Sequence, residues 1–149
     1  MLEGKIGIVM GIANNRSIAS HIASSLAEAG AKMIFTHLPD APGKDRNEKR
    51  LRSITDEMEP LLIYPCDVSK DEDLDKFFAE VESKVGKIDF VVHSIAFAPT
   101  EDIKKKTIES SREGFNTAMD ISVYSLLAIA NRAERLMKDG GNMITMSYY

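Results

Sequence analysis

The sequence predicts an α/β fold built on a doubly wound parallel sheet. Three observations lead there. Short apolar runs alternate along the chain with segments whose apolar residues recur every three or four positions, so strands and helices take turns. Glycine or proline stands where most of these helical segments must stop. The first apolar run ends in a glycine turn that leads straight into a helix.

Lys5 to Gly11 (KIGIVMG) is the first strand, and Ser17 to Ala27 follows as a helix with Ile18, Ile22 and Leu26 on one side. Gly30, suited to a left-handed C′ position, closes that helix, and Lys32 to Thr36 (KMIFT) is a second buried strand. Pro39 to Asn47 is a polar loop, after which Leu51, Ile54 and Met58 mark a second helix terminated by Pro60. Leu61 to Tyr64 is the third strand. Ser69 and Glu72 have the spacing of a capping box ahead of a third helix carrying Leu74, Phe77, Phe78, Val81 and Val85 and ended by Gly86. Ile88 to His93 (IDFVVH) is the fourth strand, followed by a loop with Pro99 and the run Lys104-Lys105-Lys106, read as a solvated face. Ser110 to Met137 is one long helical stretch, and Gly140-Gly141 lead into a fifth strand over Asn142 to Met146. With right-handed crossovers the natural strand order is 3-2-1-4-5, which places ligands at the carboxyl ends of strands 1 and 4. The chain stops three residues after Met146, where a doubly wound domain normally continues with another helix and strand. Residues 1–149 are therefore expected to be a single dinucleotide-binding domain forming the N-terminal portion of a longer protein, with its C-terminal part missing.

Composition narrows the function. With 44% hydrophobic and 28% charged residues the chain can bury one sizeable core. A net charge of −4 argues against a general nucleic-acid or acidic-membrane surface, so an anionic ligand must be held locally. The single cysteine, Cys66, excludes an internal disulfide framework and fits a reducing cytoplasm. His21, His37 and His93 have no metal-ligand spacing, so no metal is expected, and the run Ile6 to Ala13 is too short for export or a membrane span.

The chemistry-bearing residues fall at the strand ends. The first turn, GIANNRSIA from Gly11 to Ala19, has only one glycine of the three in the common dinucleotide fingerprint. Gly11 permits a sharp turn, Ala13 is small enough for close backbone approach, and Ser17 opens a helix whose free N–H groups favour a pyrophosphate. The same residues fit equally an ordinary capped helix start. After strand 2 stand Thr36-His37-Leu38, with the first acid, Asp40, beyond Pro39, which leaves cofactor choice open. After strand 3 stand Asp67, able to accept from an adenine amino group or to initiate a helix, and Val68, able to pack on a ring edge; Asp67 is the only acid read near that edge. After strand 4, Ser94, Ile95, Ala96, Phe97 and Ala98 offer a small, apolar lining for ribose and nicotinamide, while His93 itself reads better as a satisfied core histidine than as a base. Strand 5 leads to Tyr148 and Tyr149, phenols able to donate to a developing oxyanion or simply to pack.

GIANNRSIA, CDV at 66–68, HSIAFA at 93–98, DISVYS at 120–125 and TMSYY at 145–149, in this order and spacing, resemble the bacterial enoyl-acyl-carrier-protein reductases of fatty acid synthesis. These are divergent members of the short-chain dehydrogenase/reductase superfamily, with a Rossmann fold. The resemblance spans the chain. It implies pyrophosphate contacts at Gly11, Ser17 and Ile18, adenine contacts at Asp67 and Val68, a nicotinamide contact at Ile95, an acyl-substrate contact at Ala98, and a catalytic Tyr148 as the first of two active-site tyrosines. The second tyrosine, and the lysine seven residues after it, would lie beyond Tyr149, so this chain alone is expected to be inactive. Leu38, near the adenosine ribose, favours NADH over NADPH. The implied reaction is hydride transfer from NADH to a trans-2-enoyl thioester carried on acyl carrier protein, in a cytoplasmic homotetramer pairing through the long helix. The rivals are a carbonyl reductase of the same superfamily using Ser147, and a nucleotide-binding protein without chemistry.

Overall fold

A computed structural model describes residues 1–147. Its centre is a five-stranded sheet, all parallel, in the order β3-β2-β1-β4-β5, as the alternation of periods predicts. The strands are β1 (Ile6–Met10), β2 (Lys32–His37), β3 (Leu62–Pro65), β4 (Phe90–His93) and β5 (Asn142–Thr145). The helices between them are α1 (Ile18–Glu28), α2 (Arg46–Thr55), α3 (Asp71–Lys84), the short α4 (Thr100–Ile103), α5 (Arg112–Met119) and α6 (Ser125–Glu134).

Central strands of such a sheet are covered on both faces, which is why they read as continuous apolar runs. One core packs Ile8, Met10, Ile34 and Val91 against Leu74, Phe77, Phe78 and Val81 of α3 and Ile129 and Ala133 of α6. The other packs Val9, Met33, Phe35 and Val92 against Ala19 and Ala23 of α1 and Leu51 of α2. Alternate residues of β1 and β2 thus face opposite layers. Asp89 fixes the opposite end of the sheet from the strand tips: its carboxylate accepts from the Ile6 N–H at 2.9 Å and from Lys5 Nζ at 2.7 Å.

One expectation needs correction. The Ser69–Glu72 capping box does not form. Helix α3 starts at Asp71 with Lys70 at its N-cap and no side-chain cap bond. Asp67, two residues before Ser69, takes both the Ser69 N–H and the Ser69 hydroxyl, so a stronger, charged acceptor removes the serine from helix capping. The long helical stretch forms as expected, running unbroken from Arg112 to Glu134. It begins after Ser111, whose hydroxyl accepts from the Gly114 N–H, and it is widened between α5 and α6 by a π turn over Asp120–Tyr124. The Lys104–Lys106 run is exposed, as expected, with Lys104 and Lys105 paired to Glu101 and Asp102.

Candidate functional site

In the order 3-2-1-4-5 the strand order reverses between β1 and β4, later strands being added on the other side of β1, and the crevice beyond their carboxyl ends is the place for a ligand. The two strand exits are in close contact there. The Ser94 N–H donates to the Met10 carbonyl at 3.1 Å, and Gly11 turns with φ +99° so tightly that a Cβ on it would lie 2.0 Å from the Ser94 carbonyl oxygen. The pyrophosphate turn and the segment 94–98, distant in sequence, therefore form one floor.

The turn beyond Gly11 is built by Asn14, whose Oδ1 accepts from the Arg16 N–H and whose carbonyl accepts from the Ser17 N–H and hydroxyl. Ser17 then caps α1, its Oγ accepting from the Ser20 N–H at 3.4 Å. Ala13 to Arg16 are exposed and Ile18 is 63% exposed, so the turn's crest faces open space ahead of the first N–H groups of α1, of which that of Ser20 is taken by Ser17. Those first N–H groups have no intrahelical acceptor and carry the positive end of the helix dipole. The arrangement fits a pyrophosphate.

At the end of β2, Leu38 is 61% exposed and free to lie along a ligand. Asp40 is spoken for: its carboxylate accepts from the Asn47 N–H at 2.9 and 3.0 Å and from the Glu48 N–H at 3.1 Å. The Asn47 bond foremost, aided by that from Glu48, holds its carboxyl below the usual range. It closes the start of α2, so it is not a ribose acceptor.

At the end of β3, Asp67 and Val68 are half-buried. Asp67 accepts from the Ser69 hydroxyl at 2.7 Å, the Ser69 N–H at 3.1 Å and Lys70 Nζ at 3.2 Å. Burial works to raise its pKa, but those donors together outweigh it and hold the carboxyl below its ordinary value. Asp67 is not the only acid at this edge, because Asp73 accepts the Asp67 N–H at 3.2 Å. A helix carboxylate one turn into α3 reaches back to the strand end, which the linear spacing hides. Beside them burial pushes the Cys66 thiol up to about 12, so it carries no thiolate chemistry.

At the end of β4, His93 is 1% exposed and satisfied on both nitrogens, as the sequence suggested. Nε2 meets Ser125 Oγ at 2.8 Å and Nδ1 meets Thr145 Oγ1 at 3.2 Å. Ser125 spends its one hydroxyl hydrogen on the Ile121 carbonyl at 2.7 Å, so Nε2–H must donate to it and Nδ1 must accept from Thr145. The ring is a neutral bridge between β4, β5 and α6. Burial pushes its pKa below the ordinary value. The folded protein therefore binds fewer protons than the unfolded chain just below that value, and stability present above pH ~6.5 is lost as the pH falls. Urea midpoints should drop between pH 7 and 5, with a shallower slope in His93→Gln; equal slopes would mean His93 is not held neutral.

Beyond His93, Ser94, Ile95 and Ala98 are half-buried, Ala96 is exposed and Phe97 is 49% exposed. Ile95 packs on the α3 and α6 core, which leaves small residues to form the lip. The Phe97 N–H and carbonyl both bond Ser122 Oγ, at 3.0 and 3.2 Å. Tyr148 lies outside the described residues. The structure thus joins Gly11 to Ser94 directly and ranges Ser17, Leu38, Asp67 and Ser94 along the carboxyl edge of the sheet. Sequence reasoning missed Ser122, Ser125 and Asp73; the first two stand inside DISVYS, whose spacing alone gives no role.

Similarity to known proteins extends along the whole chain. The family described as Enoyl-(Acyl carrier protein) reductase matches residues 11–149. The enoyl-[acyl-carrier-protein] reductase [NADH] 1 of Rhizobium meliloti is 44% identical over 149 residues, covering 100% of this chain and 53% of the relative. The enoyl-[acyl-carrier-protein] reductase [NADPH] of Staphylococcus aureus is 42% identical over 149 residues, covering 99% of this chain and 56% of the relative. The crystal structure of the Aquifex aeolicus enoyl-[acyl-carrier-protein] reductase (NADH) superposes with a TM-score of 0.91 at 45% identity, covering 99% of this chain and 57% of that one. The chain spans about half the length of the curated relatives it matches.

Proposed function

This chain belongs to the enoyl-(acyl carrier protein) reductase family, and from that premise we propose that its protein reduces the double bond of a trans-2-enoyl thioester, carried on acyl carrier protein, with NADH in fatty acid elongation. The observation that carries the reading is the contact of Gly11 with Ser94, which makes one site of the pyrophosphate turn and the HSIAFA segment. Residues 1–149 are taken as one dinucleotide-binding domain.

Each part of the cofactor has a matching surface. Gly11, Ala13, Ser17 and Ile18 would hold the pyrophosphate at the positive end of α1. Leu38 would lie by the adenosine ribose. Asp67 and Val68 would hold the adenine, with Asp67 keeping lone pairs for an amino group while Ser69 and Lys70 fix its orientation. Ser94, Ile95 and Ala96 would line the nicotinamide side, and Ala98 would meet the acyl chain. A bound NADH supplies the hydride that adds to the β-carbon. The protein's part is position and electrostatics: Tyr148 would donate to the thioester oxygen as enolate charge develops, before the α-carbon is protonated.

NADH is preferred because no base follows Leu38 directly to meet a 2′-phosphate; Lys44 and Arg46 stand in the exposed stretch before and at the start of α2. A homotetramer in the cytoplasm goes with this reading. Exposed Phe115, Met119, Val123 and Leu127 along α5, the π turn and α6 supply an apolar face for pairing, and Cys66 is a free thiol. No helix among the described residues is long and apolar enough to cross a membrane.

In the full-length protein, of which residues 1–149 are read as a part, a crotonyl thioester should be reduced with a kcat/KM for NADH at least ~10-fold above that for NADPH, roughly the effect of an unmet phosphate. Equal use of both cofactors, or a preference for NADPH, would overturn the cofactor assignment. Reduction of a 3-ketoacyl thioester without reduction of the enoyl thioester would overturn the reaction.

A further inference from the structure

The π turn between α5 and α6 has a local cause. The Ser125 N–H reaches the Asp120 carbonyl, five residues back, and the Ser125 hydroxyl takes the Ile121 carbonyl that an α-helical N–H would have used. Ser125 in turn receives His93. Three residues earlier, Ser122 Oγ accepts from the Phe97 N–H at 3.0 Å and donates to the Phe97 carbonyl at 3.2 Å. Residues three apart share one side of a helix, so a single stretch holds both ends of the segment from His93 to Phe97. The two holds differ in kind. His93 is buried and anchored by β4 as well, whereas Phe97 is half exposed and gains its fixed backbone from one hydroxyl.

From this geometry we infer that Ser122 is a positioning residue for the reductase reaction. By holding both backbone groups of Phe97 it sets the 94–98 segment against the Gly11 turn, and so fixes the lip on which the enoyl thioester is aligned. Ser122 Oγ is bonded to the Phe97 backbone, so the role assigned to it is exerted through the loop. The inference rests on the reading that Ser94 to Ala98 line the substrate side.

The test compares Ser122→Ala and Ser122→Thr with the unaltered full-length protein, using a crotonyl thioester and NADH. Ser122→Ala should lower kcat/KM about tenfold, the scale of a lost hydrogen-bond pair, with most of the change in KM. Its urea midpoint should stay unchanged, because alanine suits the helix. Hydrogen exchange at the Phe97 amide should quicken in Ser122→Ala. Ser122→Thr, which keeps the hydroxyl, should restore both KM and slow exchange. Wild-type KM and exchange in Ser122→Ala would overturn the inference, and so would an equal loss in both variants with a lowered urea midpoint, which marks a merely structural residue. If the unaltered full-length protein fails to reduce the thioester while Phe97 exchange still responds to Ser122→Ala, the enoyl reductase reading falls and only the loop clamp stands.

Discussion

Replacing Gly11 by alanine is expected to destabilise the protein by at least ~2 kcal/mol and to weaken NADH binding by more than ~10-fold, the largest effect of any single methyl at the site. Two costs coincide there. At φ +99° an L side chain is strained, and the new Cβ would lie 2.0 Å from the Ser94 carbonyl oxygen and 2.5 Å from its carbon. Both neighbours are backbone, so no side chain can swing away. The exits of β1 and β4 must part, and parting them opens the crevice that aligns the pyrophosphate turn with segment 94–98. Gly43 is the control, since it has φ +76° with nothing within 4 Å of the position an added methyl would take. Gly43→Ala should show the backbone strain alone, about 1 kcal/mol, and leave NADH binding as it was. Urea denaturation and calorimetry read both variants. Similar behaviour of the two would show that the Gly11–Ser94 contact does not organise the site.

The sheet was legible because its signals are local. A strand of β1 contributes to two cores, so Ile8, Val9 and Met10 are all apolar, and Ser17 announces the helix that follows. Strand order followed from the crossover rule, and the site's location followed from strand order. The failures share one cause, which is competition between polar groups that only the folded chain brings together. Ser69 looks like a helix cap until Asp67 captures it, and the role of Asp40, left open by the sequence, is settled only when Asn47 and Glu48, seven and eight residues on, turn their N–H groups to it. The π turn is invisible in DISVYS because it depends on Ser125 choosing the Ile121 carbonyl and on His93 arriving from β4. Roles at the site, as opposed to places, came from the family resemblance; a small apolar loop such as 94–98 is chemically mute without it.

Phe77→Ala is expected to cost about 3–5 kcal/mol and to lower Tm by about 10 °C, because the cavity left in a packed core cannot close. Phe77 is fully buried on α3, with its ring centroid 5.9 Å from that of Tyr64 on β3 and 5.1 Å from that of Phe78, the latter pair edge-to-face at 67°. Leucine there should lose less, about 1.5 kcal/mol, since it refills most of the volume. Unlike Gly11→Ala, which should lower stability and affinity together, this substitution should lower stability alone. Phe77 anchors the middle of α3, while the contact that matters to the adenine edge, Asp73 with the Asp67 N–H, is made in the first turn of the same helix. Well below the lowered Tm that first turn stays in place, so NADH affinity should change by less than about threefold even as the urea midpoint falls sharply. A loss under ~1 kcal/mol would mean that α3 does not pack as described. A loss of NADH affinity equal to that of Gly11→Ala, in protein still folded, would mean that the adenine edge is set by the core beneath α3 and not by the strand exits.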